Sequence, residues 1–286
     1  MIGSSELIIR PDGSIYHLGL RPGDLAQTII TVGDPDRVDK VSSHFDSVKM
    51  VQQIREFKTV TGSLSGNELT VISTGIGTDN IDIVFNELDA LVNIDFNTRQ
   101  QKPEFTQLDF IRLGTSGSLQ SNIPVDSILL SEYAIGTDGL MHYYPVPHDI
   151  SFDPIDEFYT QHVDWPLKPY FTKADQELFT SYSEMIPLSG ITITAAGFYG
   201  PQNRSIRLEK LDNSWITQAS GQRFYETRVT NLEMETAGIY GMASLLGHRA
   251  LSINAILANR VDQTFSSSPT QTVDTMIKNV LDFLVS

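Results

Sequence analysis

The feature that most constrains the fold is a repeated unit in which a short apolar strand runs through a glycine turn into a helix. Thr28-Ile29-Ile30-Thr31-Val32 leads into Gly33-Asp34-Pro35-Asp36-Arg37, and residues 38–45 read as a short helix. Leu69-Thr70-Val71-Ile72-Ser73 ends at Thr74-Gly75-Ile76-Gly77, after which Ile81, Val84, Phe85, Leu88 and Val92 recur at helical spacing. Thr78 or Asp79 is placed to cap that helix. Strands alternating with helices predict an α/β chain with a largely parallel or mixed sheet. No repeat or linker divides it, so residues 1–286 are expected to form a single domain.

A third strand, Ile111-Arg112-Leu113, meets Gly114-Thr115-Ser116-Gly117, which reads as a glycine-punctuated turn. An arginine at a strand end, followed by two hydroxyls and backbone N–H groups, suits an oxyanion such as phosphate. Ordinary turn chemistry is the alternative. Arg37 repeats the theme, because it falls in the first helical turn after Gly33, where backbone donors and a helix N-terminus can face an anion. The alternative there is a solvated arginine beside an Asp-Pro turn.

Other stretches add candidate groups. Tyr16-His17-Leu18-Gly19-Leu20 carries one histidine, and Arg55-Glu56-Phe57 one arginine. Residues 97–107 are polar, lack an apolar period and read as a surface loop. A strand is expected over 125–132, turn chemistry over 136–139, a helix over 172–185 and a strand over 191–195. Residues 143–169 are rich in proline, histidine and aromatics and receive no role. The loop Gly197-Phe198-Tyr199-Gly200-Pro201-Gln202-Asn203-Arg204 holds groups able to bracket a planar heterocycle and bond its edge. Asn231-Leu232-Glu233-Met234-Glu235 reads as the start of a helix reaching about residue 246, its acids favouring the helix dipole. A last strand over 250–258 ends in Asn259-Arg260. A closing helix shows Val273, Met276, Ile277, Val280, Leu281 and Leu284 as one apolar stripe.

Composition narrows the partners. A net charge of -15 opposes nucleic acid and anionic membranes at long range. With no cysteine, disulfides and thiolate metal sites are excluded. Residues 1–11 lack a cationic start followed by an apolar stretch, and no apolar run approaches the roughly 18 residues of a membrane span. A cytoplasmic location is the expectation.

Taken together, these pieces resemble the nucleoside phosphorylase family, and within it the uridine phosphorylase branch. The resemblance covers residues 17–260. It rests on His17-Leu18-Gly19-Leu20, Gly33-Asp34-Pro35-Asp36-Arg37, Arg55-Glu56-Phe57, Ser73-Thr74-Gly75-Ile76-Gly77, Arg112-Leu113-Gly114-Thr115-Ser116-Gly117, Phe198-Tyr199 with Gln202 and Arg204, and Glu233-Met234-Glu235. It implies a three-layer α/β/α domain around a central mixed sheet. It further implies that Gly33, Arg37, Arg112 and Thr115 bind phosphate, with Arg55 supplied by a neighbouring subunit. His17 of that neighbour, Thr115, Met234 and Glu235 would hold the ribose. Gly117, Phe198, Gln202 and Arg204 would receive the base, and Arg260 would support Arg204 from behind. Homo-oligomers follow, dimers assembled into a hexamer with shared sites. The implied reaction cleaves a pyrimidine nucleoside with inorganic phosphate and needs no metal or organic cofactor; Glu56 is similar to a residue that touches a monovalent cation at a subunit interface.

The residue types suit that chemistry. Three arginines, Arg37, Arg55 and Arg112, would orient the nucleophile, Glu235 would favour a cation-like sugar, and Gln202 with Arg204 would supply donors to a departing uracil anion. Arg37, Arg112, Glu235 and Arg204 are thus the expected catalytic groups. Purine-specific relatives carry a Ser-Asp pair where this chain has Ala258-Asn259, and an asparagine cannot protonate a purine. The alternatives are a purine or broad-specificity phosphorylase and, from another class, a non-catalytic nucleoside-binding protein. The chain departs from the branch pattern at Gly200-Pro201, at Asn203-Arg204-Ser205, at Thr78-Asp79 and in the length of the 97–107 loop.

Overall fold

A computed structural model describes residues 1–145, 163–210, 214–224 and 226–286. Strand β1 (Thr28–Val32) lies between β4 (Asn67–Ser73) and β7 (Asp109–Ser118), parallel to both. Beyond β4 the sheet continues antiparallel through β3 (Phe57–Leu64) to the edge strand β2 (Ser47–Ile54). On the other side β7 pairs in parallel with β13 (Arg249–Asn259), which runs antiparallel to β8 (Ile128–Gly136). Parallel pairings then join β8 to β10 (Ser189–Thr194) and β10 to β12 (Thr227–Glu233), on which β11 (Arg223–Phe224) pairs antiparallel. The sheet is therefore mixed and central, as expected.

One pairing shapes everything that follows. β12 returns to β7, with Asn231 opposite Ser118 and Leu232 opposite Gly117, so strands β7, β13, β8, β10 and β12 close on themselves. Along one edge β7 is held by β1 only as far as Arg112, and by β12 only from Gly117. Between those points the edge is open. A fork of this kind at the carboxyl ends of parallel strands is where α/β sheets bind ligands.

Among the described residues the α-helices are α1 (Pro35–Ser42), α2 (Thr78–Asn93), α3 (Gln176–Ser183), α4 (Trp215–Ser220), α5 (Thr236–Leu245) and α6 (Pro269–Leu284). On α2 the expected positions Ile81, Val84, Phe85 and Leu88 are buried, and on α6 so are Val273, Met276, Ile277, Val280 and Leu281. α5 is buried nearly all round, its small Gly238 and Gly241 packing on Thr78 and Met141. Apolar side chains of α1, α2, α3, α5 and α6 and of the strand faces form the main core, while Trp215, Ile216 and Ala219 of α4 pack in a second cluster with Ile191, Ile193, Val229 and Leu232.

Several expectations are corrected. Gly114–Gly117 is not a turn but the interior of β7, because β13 pairs with it as far as Ser118. Residues 231–233 belong to β12 and the helix starts only at Thr236. α1 begins at Pro35 and ends at Ser42, earlier than the 38–45 reading. Tyr170–Lys173 is a strand, β9, paired with β8, which shortens the expected 172–185 helix to Gln176–Ser183. The 125–132 strand lies instead at Ile128–Gly136. The expected last strand is followed by another, β14 (Thr264–Phe265), pairing back on β13. In the 97–107 loop, β6 (Gln100–Gln101) pairs with β5 (Ile94–Asp95). Neither Thr78 nor Asp79 caps α2: both lie inside it, and Gly77 holds the N-cap position. Most of 143–169 lies outside the described residues.

Candidate active site

The open fork is a cavity of about 320 Å³. Gly33 and Arg37 line it from beyond β1, Arg112, Thr115 and Gly117 from β7, Met234 and Glu235 from beyond β12, and Phe198, Gln202 and Arg204 from the loop after β10. These segments, distant in sequence, would not meet here without the β12–β7 closure.

At one end are the two guanidinium groups. Asp34 is the N-cap of α1 and accepts from the Arg37 N–H at 2.9 Å, while its other oxygen lies 3.1 Å from Arg37 Nη2. Arg37 Nη1 also donates to the Leu113 carbonyl at 3.2 Å, tying α1 to the open edge of β7. Burial holds the Arg37 pKa below its ordinary value, against the pull of Asp34. Arg112 Nη2 sits 2.8 Å from Glu233 and 2.6 Å from Glu235, and Nη1 donates to Ser252 Oγ at 3.3 Å and Asn254 Oδ1 at 3.0 Å. Burial alone would lower the Arg112 pKa, but Glu233 and Glu235 outweigh it and raise it. Gly114 makes this possible, since a Cβ there would lie 1.8 Å from Arg112 Nη1.

The floor is acidic. Glu235 accepts from the Gly77 N–H at 2.8 Å as well as from Arg112. Its pKa is raised, first by burial and then by Glu233, with Arg112 opposing. Glu233 accepts from Thr194 Oγ1 at 2.7 Å and from the N–H groups of Glu235 and Thr236, so it caps the start of α5 from within β12. That corrects its expected place in a first helical turn. Glu233 and Asp34 stand in the sequence motifs without a predicted site role, yet both line the cavity. The signal for Glu233 was its spacing two residues before Glu235 at the end of a strand.

At the other end, Gln202 is buried and its Oε1 accepts from Arg204 Nη1 at 2.5 Å. Arg204 also donates to the Phe198 carbonyl at 2.9 Å and lies 3.8 Å from the centroid of that ring, a cation–π contact. Arg260 Nη2 donates to the Gln202 carbonyl at 3.0 Å, and its Nη1 is buried with no hydrogen-bond partner among the described residues. Burial, then the charge of Arg260, lowers the Arg204 pKa. Gly117 faces the Arg260 stem, where a Cβ would make ordinary contact at 3.4 Å.

Asn259 does not reach the cavity. Its Nδ2 donates to the carbonyls of Gln120 and Ile123 and its Oδ1 accepts from the N–H groups of Val261 and Asp262.

His17 and Arg55 do not line the cavity of their own chain. They belong to neighbouring parts of one surface: Gly19 packs on Ile54 and Gln52 of β2, and Arg55, at φ 55°, turns β2 into β3. Glu56 accepts from Asn80 Nδ2 at 3.4 Å. Among the described residues no three histidine or carboxylate groups converge as a metal site, and no helix is long and apolar enough to cross a membrane.

The sequence matches the phosphorylase superfamily over residues 27–285. It is 29% identical to the uridine phosphorylase of Thermococcus kodakarensis over 93% of this chain and 84% of that protein. Against the uridine phosphorylase of Escherichia coli it is 28% identical over 94% of this chain and 96% of the relative. In three dimensions it superposes on a Trypanosoma brucei nucleoside phosphorylase, described as showing uridine phosphorylase activity, with a TM-score of 0.88 at 29% identity, covering 98% of this chain and 99% of that one. A family match across nearly the whole length, joined to the same fold, leaves one assignment: this chain belongs to the phosphorylase superfamily.

Proposed function

We propose that this protein is a uridine phosphorylase-like enzyme, cleaving pyrimidine nucleosides with inorganic phosphate to give free base and ribose 1-phosphate. The observation that carries the reading is a single cavity joining a two-arginine end, a carboxylate floor and an amide–guanidinium end. Phosphate at Arg37, Arg112, Gly33 and Thr115 attacks C1′ of a ribose held by Glu235 and Met234. A phosphate oxygen bonds to C1′ as the C1′–N1 bond breaks, and the bond pair leaves on uracil. Arg204 and Gln202 donate to that anion, and Phe198 packs beside it; Gly117 leaves room for the ring, and Arg260 holds the Gln202 backbone. The equation balances with phosphate as the only co-substrate.

Charge bears on the assembly. At the phosphate end the charged groups are Arg37 and Arg112 against Asp34, Glu233 and Glu235, the third arginine of the cavity, Arg204, lying at the base end. A phosphate dianion entering that end, where carboxylates outnumber arginines, needs a further cation, which supports Arg55 and His17 being contributed by a second copy. Pyrimidine preference draws support from Asn259, which is committed to four backbone partners and so offers no acid to a purine.

The test compares release of free base from uridine, deoxyuridine, thymidine, inosine and adenosine at fixed phosphate. Preferred release from the pyrimidine nucleosides is expected. Preferred purine cleavage would overturn the base assignment, and binding without cleavage would turn the reading to a non-catalytic protein.

A further inference from the structure

Arg112 is gripped from behind by a residue that does not line the cavity, Asn254. On β13, Ser252 stands opposite Arg112 and Asn254 opposite Gly114. The Arg112 side chain runs forward along β7 over Gly114, where no Cβ obstructs it, and so brings Nη1 within 3.0 Å of Asn254 Oδ1. A guanidinium only donates, so the amide oxygen faces it and Nδ2 points away, donating to Ser131 Oγ at 3.0 Å and to Ser252 Oγ at 3.3 Å. The Ser131 hydroxyl, already accepting from Asn254, passes its own proton to Thr192 Oγ1 at 2.6 Å. Thr192 donates in turn to Asn231 Oδ1 at 2.9 Å, and Asn231 Nδ2 to Ser116 Oγ at 2.9 Å. The hydrogen bonds thus run one way, from Arg112 through the inside of the closed ring of strands and back to β7. Asn254, Ser131, Thr192 and Asn231 are all fully buried. An apolar interior would close the ring without them, and a buried amide costs free energy unless its groups are paired. What the chain adds is an amide that cannot turn over.

We propose that Asn254 is a positioning residue for phosphate, holding the Arg112 guanidinium against the pull of Glu233 and Glu235 in the orientation that presents it to the anion. The inference rests on the phosphorolysis reading above. Both carboxylates take the same atom, Nη2, while Asn254 holds the other wing. Without Asn254, only the longer bond to Ser252 at 3.3 Å opposes them. The guanidinium then turns its donors toward the two carboxylates and away from an incoming phosphate. A neutral amide suits this task, because it anchors the arginine without setting a third carboxylate against a dianion.

The test titrates inorganic phosphate into the full-length protein by calorimetry and follows uridine cleavage in parallel. Asn254→Leu should weaken phosphate binding and raise the phosphate KM roughly 10- to 100-fold, the loss of one hydrogen bond to a charged group, with a smaller change in the uridine KM. Ser131→Ala keeps the Tyr240 bond to the Ser131 carbonyl and the backbone pairing with β13. It frees the Asn254 amide to turn without touching Arg112, and should weaken phosphate roughly 2- to 10-fold. A purely structural role would lower the folded fraction, and with it kcat, at wild-type phosphate affinity. That result in Asn254→Leu, or in Ser131→Ala where the leucine variant does not fold, would overturn the proposal while uridine cleavage by the wild type still upheld the phosphorolysis reading. A wild type that neither binds phosphate nor cleaves uridine would end that reading, and the role of Asn254 with it.

Discussion

Replacing Glu235 by glutamine should shift stability relative to wild type in the variant's favour as pH rises, and leave the protein nearly inactive. The shape is kept, but the carboxylate accepts from two donors, the Gly77 N–H at 2.8 Å and Arg112 Nη2 at 2.6 Å, and the amide has one acceptor oxygen, so its –NH₂ faces one of them at every pH. What varies with pH is charge. Attraction between Glu235 and Arg112 is worth about 4 kcal/mol at a charge separation of roughly 4 Å and an effective dielectric constant near 20. Glu233 shares the same Nη2, so the two carboxylates lie within about 5 Å and repel by about 3 kcal/mol on the same scale. Little net attraction remains to set against burial, which costs several kcal/mol per ion; burial accordingly raises the Glu235 pKa. A carboxyl whose folded pKa lies above its unfolded one contributes stability that is complete below the unfolded value, about 4.3, and is lost as pH rises through the folded value. Relative to wild type, the Glu235→Gln variant should therefore gain on the order of 1 kcal/mol between about pH 4 and pH 7, a relative Tm shift of about 2–4 °C, on top of the pH-independent cost of the misplaced –NH₂. Losing a group that favours the cation-like sugar should cost roughly 10²- to 10³-fold in kcat. Thermal unfolding at pH 7 and pH 4, beside initial rates with uridine, reads both. A stability difference from wild type that does not move in the variant's favour between pH 4 and pH 7 would refute the electrostatic reasoning, and unchanged kcat would refute the role of Glu235.

Three further outcomes are expected. Arg204→Ala should lower the uridine rate by roughly 10²-fold, the effect of deleting one transition-state donor, in assays of uracil release; an unchanged rate would end the base assignment. Gly114→Ala puts a Cβ within 1.8 Å of Arg112 Nη1, and the displaced guanidinium should raise the phosphate KM by at least about 10-fold, since one charge-assisted hydrogen bond is worth about 1.5–3 kcal/mol. Asn259→Asp removes both donors to Gln120 and Ile123 and sets a charge against two carbonyls, so denaturant unfolding should show a loss of about 2–4 kcal/mol with no gain in inosine cleavage.

Much of the site was legible because its residues sit at points where local chemistry is emphatic. Gly33-Asp34-Pro35 is a turn and helix cap by its own residues, and it put Arg37 in the first turn of α1, where the structure has it. The stripe on α6 needed only its period. What failed was pairing between distant strands. Gly114–Gly117 looks like a turn because small residues usually make one, yet β13 hydrogen-bonds straight past it and the missing Cβ serves the Arg112 guanidinium instead. Asn231 and Glu233 look unlike strand residues because they are polar. Within the closed ring of strands they are buried and satisfied by Ser116, Thr192 and Thr194 across the interior, an arrangement no local window contains. The edge pairing of β9 with β8 hid in the same way inside an apparent helix.

The most direct test of the central claim is to incubate the protein with uridine and inorganic phosphate and to follow uracil by absorbance and the sugar phosphate by ³¹P NMR in one sample. The account predicts that uracil and ribose 1-phosphate form in equal amounts and that neither forms when phosphate is left out. Uracil released without phosphate, accompanied by free ribose, would contradict it.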